Sequence, residues 1–276
     1  MILYLGDGDM SGAAAYLSGV MLHHNIPFER VDSSDSPPED LTTTWYDGYI
    51  LSDYPAQKFL PGQLEHLRDA VSQGAGLLMI GGWESFYGQN GEYDNTVLAE
   101  MLPVKMQNKD DRRDFSQSPM VFQHHHHPIL EGLPWDRPAF IGGFNQFDAK
   151  PDAEVLLKAL CFRVRIVDED EVVDVGTDSV YNLGIQPLDD RLSIPLPSGK
   201  AAFLSLMEDH PLLVVGKYGK GRTAAFASDV APHWVGGMID WGKKRMTQKL
   251  ADGGSIEVGE DYAKFFAQLV RWVGEK

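Results

Sequence analysis

The sequence predicts an α/β protein built on a doubly wound, mostly parallel sheet. Three observations point there. In the first half, short apolar runs alternate with segments whose apolar residues recur every three or four positions. The run Gly76–Ile80 is apolar throughout, as expected of a strand covered on both faces. The resulting β-α-β-β-α-β order calls for right-handed crossovers between parallel strands.

The elements follow in order. Residues 2–5 form a short apolar strand, with Gly6-Asp7-Gly8-Asp9 as a turn at its carboxyl end. A helix with Ala13, Leu17, Val20 and Met21 on one face comes next, and Asn25-Ile26-Pro27 ends it. Residues 28–31 are the second strand, 32–44 a polar loop and 47–52 the third strand. Pro61 opens a helix carrying Leu64, Leu67 and Val71, which Gly74 and Gly76 stop before the fourth strand. From about 110 to 210 the pattern changes. Residues 154–160 read as a helix; 162–167, 172–175 and 201–206 read as strands; Asp168-Glu169-Asp170-Glu171 reads as a solvated hairpin tip. This predicts a single domain, 1–276, with a β-rich insertion of antiparallel structure at about 110–210. Residues 212–217 and 222–228 are two strands joined by the turn Tyr218-Gly219-Lys220-Gly221. A last helix carries Tyr262, Phe265, Phe266, Leu269, Val270 and Val273 toward the sheet.

Composition narrows the function. Of 276 residues, 43% are hydrophobic, enough for a sizeable core at this length. The net charge of −16 repels phosphate backbones and anionic lipid, so neither nucleic acid nor membrane is expected as a partner. No apolar run approaches bilayer length, and the N-terminus shows no signal-peptide pattern. A single cysteine, Cys161, excludes an intrachain disulfide and a cysteine zinc cage. A cytosolic protein is expected, with no cofactor, a small polar molecule as partner, and self-association into a homo-oligomer left open.

Ligands of doubly wound sheets sit outside the carboxyl ends of the strands. Residues 6–11, 52–55 and 81–87 should meet there. The first segment has the wrong glycine spacing for a dinucleotide loop, and its two aspartates would face a pyrophosphate. It reads as a tight turn into a helix capped by Ser11 or Asp9. The segment Gly81-Gly82-Trp83-Glu84-Ser85-Phe86 reads in two ways. It offers a cleft with a carboxylate (Glu84) and an aromatic platform (Trp83), or a structural loop that covers the sheet. Ser228-Asp229-Val230-Ala231-Pro232-His233-Trp234 also reads in two ways. Asp229 and His233 form an acid–base pair while Trp234 and Trp241 stack a sugar, or the segment is a buried corner. The run His124–His127 alternates faces if extended, so a metal would need further ligands such as Asp229 or His233; no metal site is expected. Tyr218-Gly219-Lys220-Gly221-Arg222 lacks the ending of a phosphate loop and reads as a hairpin turn.

Gly76 to Gly82 with Ser85-Phe86, then Gly88, Gly91 and Thr96 to Val104, resembles the pattern of glutamine amidotransferase-like domains. His127 to Pro134 is similar to a segment of the ThuA-like relatives. Gly142-Gly143-Phe144-Asn145, Ala149-Lys150-Pro151, Pro211 to Arg222, Ala225 to Trp234, Trp241 and the last helix fit the same frame. The resemblance covers most of the chain and implies a flavodoxin-like, class I amidotransferase-like core. Working members use a cysteine at a sharp turn after the fourth strand, with a histidine and a carboxylate elsewhere. Here that turn holds Gly82-Trp83-Glu84, and Cys161 lies in an apolar stretch. The resemblance therefore implies the fold without the thioester chemistry. Two functions remain. One is a ligand-binding or accessory protein with Gly82, Trp83, Ser85, His127, Trp234 and Trp241 at its site. The other is a hydrolase or sugar-processing enzyme acting through Glu84, Asp229 and His233.

Overall fold

β1 (Ile2–Gly6) is buried along its whole length, and the turn after it leads into α1 (Ala14–His23). The computed structural model describes residues 1–168, 171–174, 186–188, 191–195, 201–251 and 253–275. After α1 come β2 (Phe28–Val31), β3 (Gly48–Ser52), α2 (Gln63–Gln73) and β4 (Gly76–Ile80). A short α3 (Leu98–Met101) is followed by β5 (Val104–Lys105), β6 (Arg112–Asp114), β7 (Met120–Gln123), β8 (Gly143–Asn145) and β9 (Asp148–Ala149). The long β10 (Glu154–Asp168) is followed by β11 (Glu171–Asp174); β12 (Gln186–Leu188) and β13 (Arg191–Pro195) precede the still longer β14 (Ala201–Tyr218). β15 (Gly221–Phe226), α4 (Pro232–Val235), β16 (Arg245–Lys249), β17 (Ser255–Gly259) and α5 (Glu260–Gly274) complete the chain.

The parallel pairs are β1 with β2, β1 with β3, β3 with β4, and β4 with β15. They give the order β2-β1-β3-β4-β15, the flavodoxin-like arrangement of a doubly wound sheet. Beyond β15 the antiparallel strands β14, β10 and β11 extend the same sheet. The expected fold class is the one observed. α5 buries Tyr262, Phe265, Phe266, Leu269, Val270 and Val273, the face its spacing predicted.

Two expectations fail within the antiparallel part. Residues 154–160 are strand, the start of β10, and not helix. The register between β10 and β14 shifts between Val155 and Leu157, and this irregularity buries Leu156 and Leu157 together. Two adjacent inward residues break the period of two and imitate helical spacing. Beyond it, Leu157, Ala159 and Cys161 are buried while Lys158, Leu160 and Phe162 are partly exposed, the alternation of a strand. Residues 201–206 and 212–217 likewise belong to one strand, β14, and not two. Pro211 suggested a break because it cannot donate to a ladder, but it sits at a second register shift, opposite Lys158. Of the expected acidic tip, Asp168 of β10 pairs with Glu171 of β11, and Glu169 and Asp170 lie outside the described residues.

Register also locates the functional end. Gly6, Ser52, Ile80 and Phe226 stand level at the carboxyl edge of the parallel strands. Leu213 and Leu157 face that level on β14 and β10. Residues 158–168 and 201–212 therefore run past the edge as an antiparallel arm, flanked by β7 and β11 on β10 and by β13 on β14.

Candidate functional site

Each of three parallel strands leads into a small residue followed by an aspartate: Gly6-Asp7 closing β1, Ser52-Asp53 closing β3, and Ser228-Asp229 just beyond the end of β15. β1 and β3 flank the point where the winding of the sheet reverses, which is where the strand connections leave a crevice. Asp7 has φ 60° and Asp53 φ 45°, left-handed values that few non-glycine residues adopt. Strained backbone of this kind collects at functional sites. Asp7 and Asp229 are buried, and Asp53 is half-buried.

The environment of these carboxyls favours their protons. Burial, and then the charge of Asp53, pushes Asp7 up to about 8, against a hydrogen bond from the Tyr4 hydroxyl to its Oδ2. Its Oδ1 is buried with no hydrogen-bond partner. Burial also raises Asp53 to about 6, opposed by the amide of Glu84, which donates to Asp53 Oδ1 at 2.8 Å. Asp229 is raised well above the usual range by burial and then by Asp7 and Asp53. Its Oδ1 accepts the amides of Val230 and Ala231. Its Oδ2 stands 3.1 Å from His233 Nε2, within ion-pair range but off the line of a hydrogen bond. Burial lowers His233, which favours the neutral imidazole. The imidazole is exposed above it.

The segment after β4 is a loop. No helix follows β4 directly: residues 81–92 form a succession of turns, and α3 begins only at Leu98. Buried polar groups hold this loop. Asn145, at the end of β8, accepts from Gly82 N (2.9 Å) and donates to Gly82 O (3.1 Å) and to Asp111 Oδ1 (2.7 Å). Asp111 in turn accepts the amides of Tyr87 and Gly88. These bonds satisfy backbone groups that a helix would otherwise take up. A Cβ on Gly82 would lie 2.1 Å from Asp53 Oδ1. Gly82→Ala is therefore expected to displace the Asp53 carboxylate and cost about 1–3 kcal/mol, read by urea unfolding.

The predicted residues divide. Asp229 and His233 are brought together, as the acid–base reading required. Trp83 is exposed, with the Arg112 guanidinium 4.5 Å from its ring centroid. Glu84 is half-buried, and burial raises its pKa while Lys58 and Asn90 favour its charge. It lies within electrostatic reach of Asp53, so its closest functional neighbour is that residue. Ser85 is buried, and its Oγ accepts the Asp53 amide at 3.0 Å, which makes it a support for Asp53. The tryptophan reading needs correction. Trp234 is buried with Nε1 donating to Asp114, and Trp241 is buried against Trp135 with Nε1 donating to Arg137 O. Neither offers a face to a ligand. His127 lies elsewhere too: its Nδ1 accepts the Ile129 amide at the start of a helical turn, and its ring meets Trp272 of α5 edge-on. Asp7, Asp53, Asp111 and Asn145 were missed. The repeated small residue followed by aspartate was the available signal.

Cys161 is far from the turn after β4 in the fold's register. It sits on the arm, on β10, and burial pushes its thiol up to about 11. The family model GATase1_like, described as "Putative glutamine amidotransferase", matches residues 43–161 and 180–250. The chain belongs to this glutamine amidotransferase-like family. Among solved structures it is similar to cytoplasmic protein STM1381 of Salmonella typhimurium LT2, at 24% identity over 99% of this chain and 98% of that one, with a TM-score of 0.67. It is also similar to cytoplasmic protein STM3548 of Salmonella typhimurium, at 23% identity over 98% of each chain, with a TM-score of 0.64. A ThuA-like protein of Parabacteroides merdae matches at 10% identity over 99% of this chain and 89% of that one, with a TM-score of 0.49. No curated protein matches. Among the described residues, no helix of this family member is long and apolar enough to cross a membrane.

Proposed function

We propose that this amidotransferase-like protein binds a small polar molecule at the carboxyl ends of β1, β3, β4 and β15 and does not hydrolyse glutamine. The observation that carries the reading is the set of buried or half-buried aspartates Asp7, Asp53 and Asp229 gathered at the strand ends, where a working amidotransferase needs a thiol; burial raises all three. A carboxyl near its pKa both donates and accepts, which suits hydroxyl groups. Asp7 and Asp229 lie beneath the surface and set the electrostatics. A ligand would meet Asp53, Glu84, Trp83 and His233. Glutamine hydrolysis needs a thiolate nucleophile, and a thiol raised to about 11 supplies almost none at neutral pH.

The test has two arms. Ammonia release from glutamine is expected at background for the protein and unchanged by Cys161→Ser; cysteine-dependent release would end the reading. In calorimetry against a panel of monosaccharides and polyols, a binder is expected whose affinity falls at least about tenfold, or about 1.4 kcal/mol, in Asp53→Asn. Binding indifferent to Asp53 and Trp83 would place the site elsewhere.

The 3.1 Å approach of His233 to Asp229 supports a second reading, a hydrolase in which this pair moves a proton at the ligand. On that reading His233→Gln abolishes turnover of a glycoside or ester that the protein still binds. Full turnover in His233→Gln would exclude it.

A further inference from the structure

A second cluster lies on the arm, away from the strand ends. In the register of β10 with β14, Cys161 faces Glu208. His210 is two residues further along β14, so it projects on the same side as Glu208. One ligand-type atom from each of the three, the cysteine sulfur, a glutamate oxygen and an imidazole nitrogen, lies within 4.8 Å of the others. Cys161 is buried, His210 mostly so, and Glu208 reaches solvent. A cation already occupies the approach: Arg113 of β6 donates Nη2 to Glu208 Oε1 at 2.6 Å and lies with Nη1 3.0 Å from His210 Nε2.

We propose that Cys161, Glu208 and His210 form a divalent transition-metal site of zinc type, held closed in the metal-free chain by Arg113. The donor chemistry supports this. His210 Nε2 lies 3.0 Å from Arg113 Nη1 and 3.1 Å from Glu208 Oε2, so a metal that displaces the guanidinium meets this nitrogen and the carboxylate together and takes the neutral imidazole. Glu208 is turned toward the same place, its Oε1 on Arg113 and its Oε2 on His210. The thiol exchanges its proton for the metal, and the proton leaves to solvent. One sulfur, one nitrogen and one oxygen suit zinc; magnesium and calcium prefer oxygen alone. Three protein ligands leave the fourth tetrahedral position to water. Arg113 has somewhere to go. Its guanidinium already lies 5.0 Å from the Phe115 ring centroid, and its side chain is 31% exposed. Sequence could not show this site, because only the pairing of β10 with β14 brings distant residues together. The site is independent of the strand-end ligand.

The experiment titrates zinc chloride into the chelator-treated full chain. One zinc per chain is expected, with affinity at least about tenfold weaker in Cys161→Ser and in His210→Gln, and stronger in Arg113→Ala, where the resident cation is gone. Cobalt in place of zinc should give a thiolate-to-metal charge-transfer band in the near ultraviolet that Cys161→Ser abolishes. The variant His124→Ala/His125→Ala/His126→Ala should bind as before. Circular dichroism checks each variant's fold; if Cys161→Ser does not fold, the cobalt band of the unaltered chain and the His210→Gln affinity decide. The proposal fails if stoichiometric binding is absent, if it survives both Cys161→Ser and His210→Gln, or if it disappears with the histidine run.

Discussion

Replacing Asp7 with asparagine is expected to stabilise the protein above about pH 8 and to leave its stability nearly unchanged below about pH 4. The Asp7 carboxyl is raised from 3.8 to about 8 by burial and by Asp53. Below 3.8 both the folded and the unfolded chain hold the proton, and the group has no effect. Between 3.8 and about 8 the unfolded chain releases it and the folded chain keeps it, so stability falls as pH rises. Above about 8 the loss is complete. Each tenfold rise in proton affinity on folding is worth about 1.4 kcal/mol, so the loss is on the order of several kcal/mol, shared with Asp53 and Asp229, which titrate together with Asp7. Asparagine removes the ionisation, still accepts from the Tyr4 hydroxyl, and tolerates the left-handed φ of 60° at this position. Urea unfolding at pH 5 and pH 9 measures this. A gain of about 2 kcal/mol or more at pH 9 is expected. Parallel pH curves for the two proteins would mean that Asp7 ionises normally in the fold.

Asn145→Ala is expected to cost about 3–5 kcal/mol, more than any exposed substitution at the site. Asn145 is fully buried and is the partner of Gly82 N, Gly82 O and Asp111 Oδ1. Alanine leaves an amide, a carbonyl and a carboxylate oxygen short of a partner in a dry environment, each costing about 1–3 kcal/mol before relaxation. The turn that places Trp83 and Glu84 should loosen with it. Two measurements follow: the unfolding midpoint in urea, and hydrogen exchange of the Gly82, Tyr87 and Gly88 amides, which should speed up together. A cost under about 1 kcal/mol would show that the loop is held by something else.

The parallel core was readable because burial writes itself into composition there. β4 is apolar at every position, and α5 repeats its apolar residues at helical spacing. β10 was misread because its register shift placed Leu156 and Leu157 inward together, a local event set by the partner strand. β14 was divided at Pro211 because a proline signals an end in isolation, whereas a neighbouring irregularity can absorb it. At the site, Asp229 and His233 were legible because four residues at a strand-to-helix junction bring them close. Trp234 and Trp241 were not separable from ligand platforms, since buried and functional aromatics look alike in sequence; their indole donors, bonded to Asp114 and Arg137 O, decide it. Asp7 and Asp53 had been absorbed into turns. Their meaning depends on strand order, because only adjacent parallel strands bring their ends together. Glu84 was expected beside Asp229 and instead neighbours Asp53, on the other side of β4 in the sheet.

The central claim is that burial raises these carboxyls above ordinary aspartates, with Asp7 still protonated at neutral pH, where a working amidotransferase would hold a thiol. Carbon-13 NMR titration of the aspartate side-chain carboxyls tests this most directly, with Asp7→Asn, Asp53→Asn and Asp229→Asn used to assign the signals. Asp7 is expected to titrate near pH 8 and Asp53 near pH 6, with Asp229 still protonated where surface aspartates are fully charged. Ionisation of all three together, at or below the ordinary aspartate value of about 3.9, would contradict the claim.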